Sequence, residues 1–206
     1  MDYDALVADL QDWSEDNSAE YVAEIPDIIA RAEDRVFLSV PKLRSFRTKE
    51  TGALVASTKT MTPTTTDLRT IRSMHITVGT ALTLVEKRSD TFIDDYTPDP
   101  TTTGVPLYYS EDDATTISFA PTPDSNYAYS MRITVMPTRL SAANTTTYLA
   151  TTYPSIMLKA AYLESAIYLH YDATDVAERL GDYETESAKL ALEVERSYLE
   201  ENTTGA

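Results

Sequence analysis

Cysteine is absent from the 206 residues, which excludes disulfides and thiolate metal sites. Histidine occurs only as His75 and His170, and each reads more simply as a packed or surface side chain than as a base or a ligand. The five glycines form neither a phosphate-cradling loop nor a Gly-x-Ser-x-Gly elbow. No stretch approaches the roughly 20 uncharged apolar residues that span a bilayer, and the most apolar one, 156–171, is broken by Lys159 and Glu164. Positive charge is scarce: 17 Lys and Arg stand against 33 Asp and Glu, a net charge of −16. Such a surface favours solubility and repels a phosphate backbone. The opening Met1-Asp2-Tyr3-Asp4 lacks the basic start and apolar run of a secretion signal, so synthesis in a cytoplasm is the expectation.

Apolar residues make up 42% of the chain, enough for a packed core. Tyr3, Leu6, Val7, Leu10 and Trp13 recur at steps of three and four and predict a short first helix. A second helix is expected to start at Pro26, bury Ile28, Ile29, Ala32 and Val36, and end at Pro41. Alternation then replaces helical spacing. Its clearest case is 127–136, where Tyr127, Tyr129, Met131, Ile133 and Val135 share a face; weaker strands are expected over 71–78, 81–86 and 115–119. Thr- and Pro- or Asn-rich stretches at 62–66, 98–104 and 144–147 read as turns. Helix returns at Pro154, and Asp175 followed by Glu178 suggests a capping box opening the last helix. Val176, Leu180, Tyr183, Ser187, Leu190, Val194 and Tyr198 give that helix a seam. The expected fold is α+β: a helical bundle built from both chain ends, 1–45 and 142–206, with an antiparallel β-sandwich or barrel, 46–141, inserted between them.

Several local strings, in this order, resemble the head-to-tail adaptors of short-tailed bacteriophages, often called tail tubular protein A. They are Asp2-Tyr3-Asp4-Ala5-Leu6-Val7, Ile25-Pro26-Asp27-Ile28-Ile29 with Ala32-Glu33-Asp34-Arg35-Val36, and Ser118-Phe119-Ala120-Pro121-Thr122-Pro123. Tyr129 to Leu140, closing on Arg139-Leu140-Ser141, and the helix after Tyr153-Pro154 with Ala161, Leu163, Glu164 and Ala166 complete the set. The loops 53–68 and 92–105 carry little of it. The resemblance implies a virion protein at the head–tail junction, assembled in the host cytoplasm. It implies a ring, usually of twelve copies, between portal and tail nozzle. Such a ring would continue the DNA channel without specific DNA binding, serve as an anchor for tail fibres, and use no cofactor or membrane.

The chemistry-bearing candidates divide into acidic and basic. Asp94-Asp95 and Asp112-Asp113 sit among turn residues and read as solvated turns, with a weak calcium site as the alternative. Adjacent acids alone do not make a glycosidase pair, which needs opposed groups about 5–9 Å apart. Lys42, Arg44, Arg47 and Lys49 form the one concentrated basic run, either a solvated stretch or a contact with acidic surface on a neighbouring subunit or the portal. With Tyr198 and Asn202, near the C-terminal end that the resemblance turns toward the portal, they are the candidate partner-interface residues. No catalytic, cofactor or metal residue is assigned. The competing functions are a carbohydrate- or cell-surface-binding module of a phage tail, suited to a Tyr- and Thr-rich β domain, and a hydrolase built on an acidic pair.

Overall fold

Asp2 accepts a hydrogen bond from the Ala5 N–H at 2.9 Å, satisfying one of the free donors at a helix start, and the first helix follows at once. The computed structural model describes the backbone over residues 1–203 and the side chains over residues 1–199. In chain order the elements are α1 (Tyr3–Ser14), α2 (Ala19–Ser39), a 3-10 turn (Arg44–Phe46), β1 (Arg47–Ala53), β2 (Thr60–Met61), β3 (Leu68–Val78) and β4 (Ala81–Lys87). Then come α3 (Asp90–Tyr96), β5 (Thr103–Gly104), β6 (Tyr108–Glu111), β7 (Ile117–Ala120), β8 (Thr122–Pro123), β9 (Ala128–Val135), α4 (Tyr148–Thr152), α5 (Pro154–Tyr168) and α6 (Ala173–Thr203). The architecture is α+β. Two units divide the chain: residues 1–46 with 137–206, and residues 47–136.

In the helical unit, α2 begins at Ala19 rather than at Pro26. Ser18 is its cap, accepting from the Tyr21 N–H at 3.2 Å, and Pro26 lies inside the helix. The proline deletes one backbone bond, but Tyr21 and Ile25 continue the buried face that Ile28, Ile29, Ala32 and Val36 form. That packing outweighs the lost bond. α5 starts at Pro154 as expected and buries Ile156, Met157, Ala160, Ala161, Leu163 and Ala166 against α2 and α6. Ile167, four residues after Leu163, is exposed. The last helix is capped by Asp172, which accepts from the Thr174 and Asp175 N–H groups at 2.8 and 3.0 Å, and not by Asp175. Along α6 only Tyr183 and Leu190 of the expected seam are buried; Leu180 is exposed and the others are half-covered.

The second domain boundary falls at Met136–Pro137, where the sequence reading placed it at 141–142. Residues 137–140 belong with the helices because Arg139 donates to the Ala30 carbonyl at 2.6 Å and pairs with Asp34 at 2.9 Å.

The β unit contains a seven-stranded sheet ordered β1-β9-β3-β4-β6-β7-β2 and a two-stranded pair, β5-β8. The seven-stranded sheet is mixed: β4 and β6 run parallel, because the crossover through α3 returns the chain in the same direction, and its other pairs are antiparallel. Met74, Ile76, Val85, Ile117, Phe119, Met131 and Ile133 form its core. Gly52 is required where it stands: a Cβ there would lie 2.7 Å from the Tyr129 ring directly across the ladder.

Candidate functional site

The basic run does not form one patch on one body. Lys42 lies just past α2, with its ammonium 3.9 Å from Glu195 and 5.8 Å from the centre of the Tyr198 ring. Arg44, in the 3-10 turn, donates to Ser197 at 3.1 Å. Within the helical unit the structure therefore brings together three of the candidate residues, Lys42, Arg44 and Tyr198, at the C-terminal part of α6. Arg47 and Lys49 belong instead to β1 of the β unit, Arg47 half-buried and Lys49 exposed. Glu50, the acid next to the run in sequence, turns away from it and is only 5% exposed. The side chain of Asn202 lies outside the described residues.

The acids expected to be solvated are mostly so. Asp94 is exposed and 3.0 Å from Lys59; Asp113 ties its own turn by accepting from the Thr115 N–H at 2.6 Å. Asp112 accepts from both Ser110 and Ser118, which fixes the β6–β7 hairpin. His75 sits half-buried on β3, and His170 is exposed just after α5. Among the described residues no three His, Asp or Glu side chains converge as a metal site. No arrangement of acid, base and nucleophile is assembled from these groups.

Sequence reasoning missed the buried acids. Glu33, on the apolar face of α2, is 4% exposed, and both of its oxygens lie 3.2 Å from the Leu140 N–H. Burial pushes its carboxyl up to about 7, against the pull of the Leu140 N–H and the Arg139 charge, while Asp34 adds to the rise. Its position was a signal: Ile29, Ala32, Glu33 and Val36 share one helical stripe, so an acid there must be buried. Glu164 on α5 is also buried, bound by Arg35 through Nε at 2.6 Å and through Nη2, with Arg31 at 3.7 Å. These pairs hold α2 to α5 and to the strap that leaves the β unit. Their work is architectural.

Two aromatic groups stand apart from the cores. On the helical unit Trp13 stacks on Tyr162 at 4.8 Å, with Arg179 5.2 Å from its ring centre. On the β unit Phe92, Tyr96 and Tyr108 meet with ring centres 5.0–5.7 Å apart, and Arg88 lies over two of them. Phe92 and Tyr96 are exposed.

The sequence model of the SU10 adaptor protein family matches residues 1–203. The chain belongs to this family. No curated protein matches it. An SU10 adaptor protein is a structural component of a phage particle, and membership makes the chain a virion protein that associates with other virion components. The family is structural rather than enzymatic. No helix among the described residues of this SU10 adaptor is long and apolar enough to cross a membrane.

Proposed function

We propose that the chain is one subunit of a ring, of twelve copies by analogy with tail tubular protein A, joining the portal to the tail nozzle and continuing the DNA channel. The observation that carries this reading is the family match, which runs through both units and not through one of them. A charge of −16 per copy suits a channel wall along which DNA slides without sticking. The same charge makes preformed rings costly, so assembly is templated by the portal. Arg44 and Lys42 hold the C-terminal part of α6 beside the turn after α2, and this edge is the proposed portal contact.

Electron microscopy and mass measurement of the purified chain, alone and with portal rings of the same phage, test the reading. The expected result is a small species alone and a closed ring on the portal. Large rings without portal reject templating, and failure to bind portal at all rejects the ring. The exposed aromatic group at Phe92, Tyr96 and Tyr108 favours a second role, anchoring a tail fibre. It also suits the competing reading, a glycan-binding module: sugar binding lost in Tyr96→Ala, without any portal binding, would favour that module.

A further inference from the structure

In the β unit Met74, Val85 and Met131 point into the core, so their neighbours along β3, β4 and β9 point to the other side of the sheet. Over β6 and β7 that outer side is covered by α3, which buries Ile93 there. Over the other four strands it is open. Leu82 and Leu84 of β4 are 65% and 51% exposed, and Lys49 of β1 and Arg132 of β9 stand side by side, both exposed. Neither cation has an ion-pair partner among the described residues. The two acids of these four strands supply none: Glu50 is buried on the core side and Glu86 is bonded to Arg88 at 2.6 Å. Two unanswered cations beside two exposed leucines, on a chain of charge −16, fit an acidic cover. The helical unit contains such a piece. Helix α1 has no lysine or arginine; Asp4, Asp9 and Asp12 are exposed and not ion-paired among the described residues, and Ala5 and Ala8 are exposed beside them.

We infer that α1 of one copy lies across the outer face of β4, β3, β9 and β1 of the next, with Ala5 and Ala8 over Leu82 and Leu84, and with Asp9 and Asp12 at Arg132 and Lys49. This rests on the ring reading and supplies its contact between subunits. A head-to-tail ring needs two different, complementary surfaces on each copy, and these are two. The spacings agree. Leu84 and Arg132 are two strand spacings apart across the sheet and two residues apart along it, about 12 Å in all. Ala5 and Asp12 are about 10 Å apart along a helix, and side-chain length covers the difference. Asp9 and Asp12 are neighbours on one helical face, about 5–6 Å apart. Lys49 and Arg132 are direct cross-strand partners, about 5 Å apart. Alanine on the helix lets its backbone come close to the leucines of the sheet. The molecule already shows the arrangement once: α3, with Asp90, Asp94 and Asp95, is an acidic helix on the same side of the same sheet.

Because the chain has no cysteine, single cysteines can report on this contact. Leu84→Cys and Ala8→Cys chains, one of them affinity-tagged, are mixed and assembled on portal rings. The rings are verified by electron microscopy and a short bis-maleimide is added. The mixture is expected to give a dimer joining one chain of each kind, and each variant alone none. Verified rings without that dimer, or with links between two Leu84→Cys chains, overturn the inference and leave the ring intact. Leu84→Cys that is shielded from a maleimide in such rings, yet unlinked to Ala8→Cys, has another occupant, and the inference falls. If the unsubstituted chain forms no rings, the ring reading falls and this one with it. As a second measurement, Lys49→Glu with Arg132→Glu is expected to slow assembly about tenfold while the monomer keeps its melting temperature. Adding Asp9→Lys and Asp12→Lys to the same chain is expected to restore the rate. Unchanged assembly, or a loss that the second pair does not restore, overturns the pairing.

Discussion

Glu33 in the helical unit and Glu50 in the β unit are both buried, and their surroundings treat them in opposite ways. In the β unit, Glu50 accepts from the Thr64 N–H at 2.9 Å, the Thr65 N–H at 3.0 Å and the Tyr129 hydroxyl at 2.9 Å. Burial alone would raise its carboxyl, but these donors together outweigh burial and the net shift is downward. In the helical unit, Glu33 shares one backbone N–H between its two oxygens, and burial wins. A carboxylate with several donors is a fixed anion that pins a loop. One with a single donor is neutral through most of the acidic range and becomes a buried charge only above it. Glu50 is thus held charged and Glu33 is not, although both acids serve to tie a connecting segment to a scaffold.

The largest effect that separates the units comes from the cores. Phe119→Ala empties a site in the β core that is 1% exposed, and it should cost about 3–5 kcal/mol. Calorimetry should show the β-unit transition fall while the helical transition, built on Leu6, Ile28 and Ala160, stays. Equal loss in both would mean that the units unfold as one.

Next in size is the pH response of Glu33. The folded protein holds this proton up to about 7, whereas the unfolded chain releases it near the ordinary value of 4.5. The contribution is therefore complete below the unfolded value and is lost as pH rises through 7, by about 3 kcal/mol at most. Glu33→Gln keeps an acceptor for the Leu140 N–H and should flatten that slope. Denaturant melts at pH 5 and pH 8 for both proteins check it. Glu50 should act in the other direction, stabilising above its unfolded value and losing that contribution as pH falls through its depressed folded value.

A smaller change sharpens the same contrast. Tyr129→Phe removes one donor from Glu50 and should cost the β unit about 1.5–3 kcal/mol, the range for bonds to charged groups. It should also move acid unfolding of that unit to higher pH, with the helical unit unaffected. A pH midpoint that does not move would mean that the Thr64 and Thr65 amides suffice.

The same contrast explains which parts of the fold were readable from sequence. Strand β9 announces itself because Tyr129, Met131 and Ile133 alternate into the core. β1 does not, because its one buried residue is Glu50, and a charged inward position erases the alternation that marks a strand. α3 was lost in a Thr-, Pro- and Asp-rich stretch, since one buried residue, Ile93, is too little to show a period. The proposed interface was half legible. Lys42 and Arg44 stood out by charge, but their partners Glu195 and Ser197 lie about 150 positions away, and folding alone joins them.

The smallest predicted effect concerns where α2 begins. Pro26 invites a helix start because its missing N–H costs nothing in a first turn. Ser18, eight positions before Pro26, would then have no capping role. In the structure Ser18 Oγ accepts the Tyr21 N–H, and the turn it starts carries Tyr21, whose hydroxyl lies 2.6 Å from Ser165 on α5. Ser18→Ala should therefore cost about 1 kcal/mol, the usual loss of a cap, and it should appear in the helical transition. The matching change in the β unit is Ser89→Ala, which removes the cap of α3, where Ser89 accepts the Phe92 N–H at 3.2 Å. That helix has seven residues and a single buried side chain, so it can fray locally without unfolding the sheet, and the global cost should be smaller. The pair of variants asks whether a cap counts by its own bond or by what the capped turn holds. Equal losses would favour the bond; a larger loss at Ser18 would favour the packing of Tyr21 against α5.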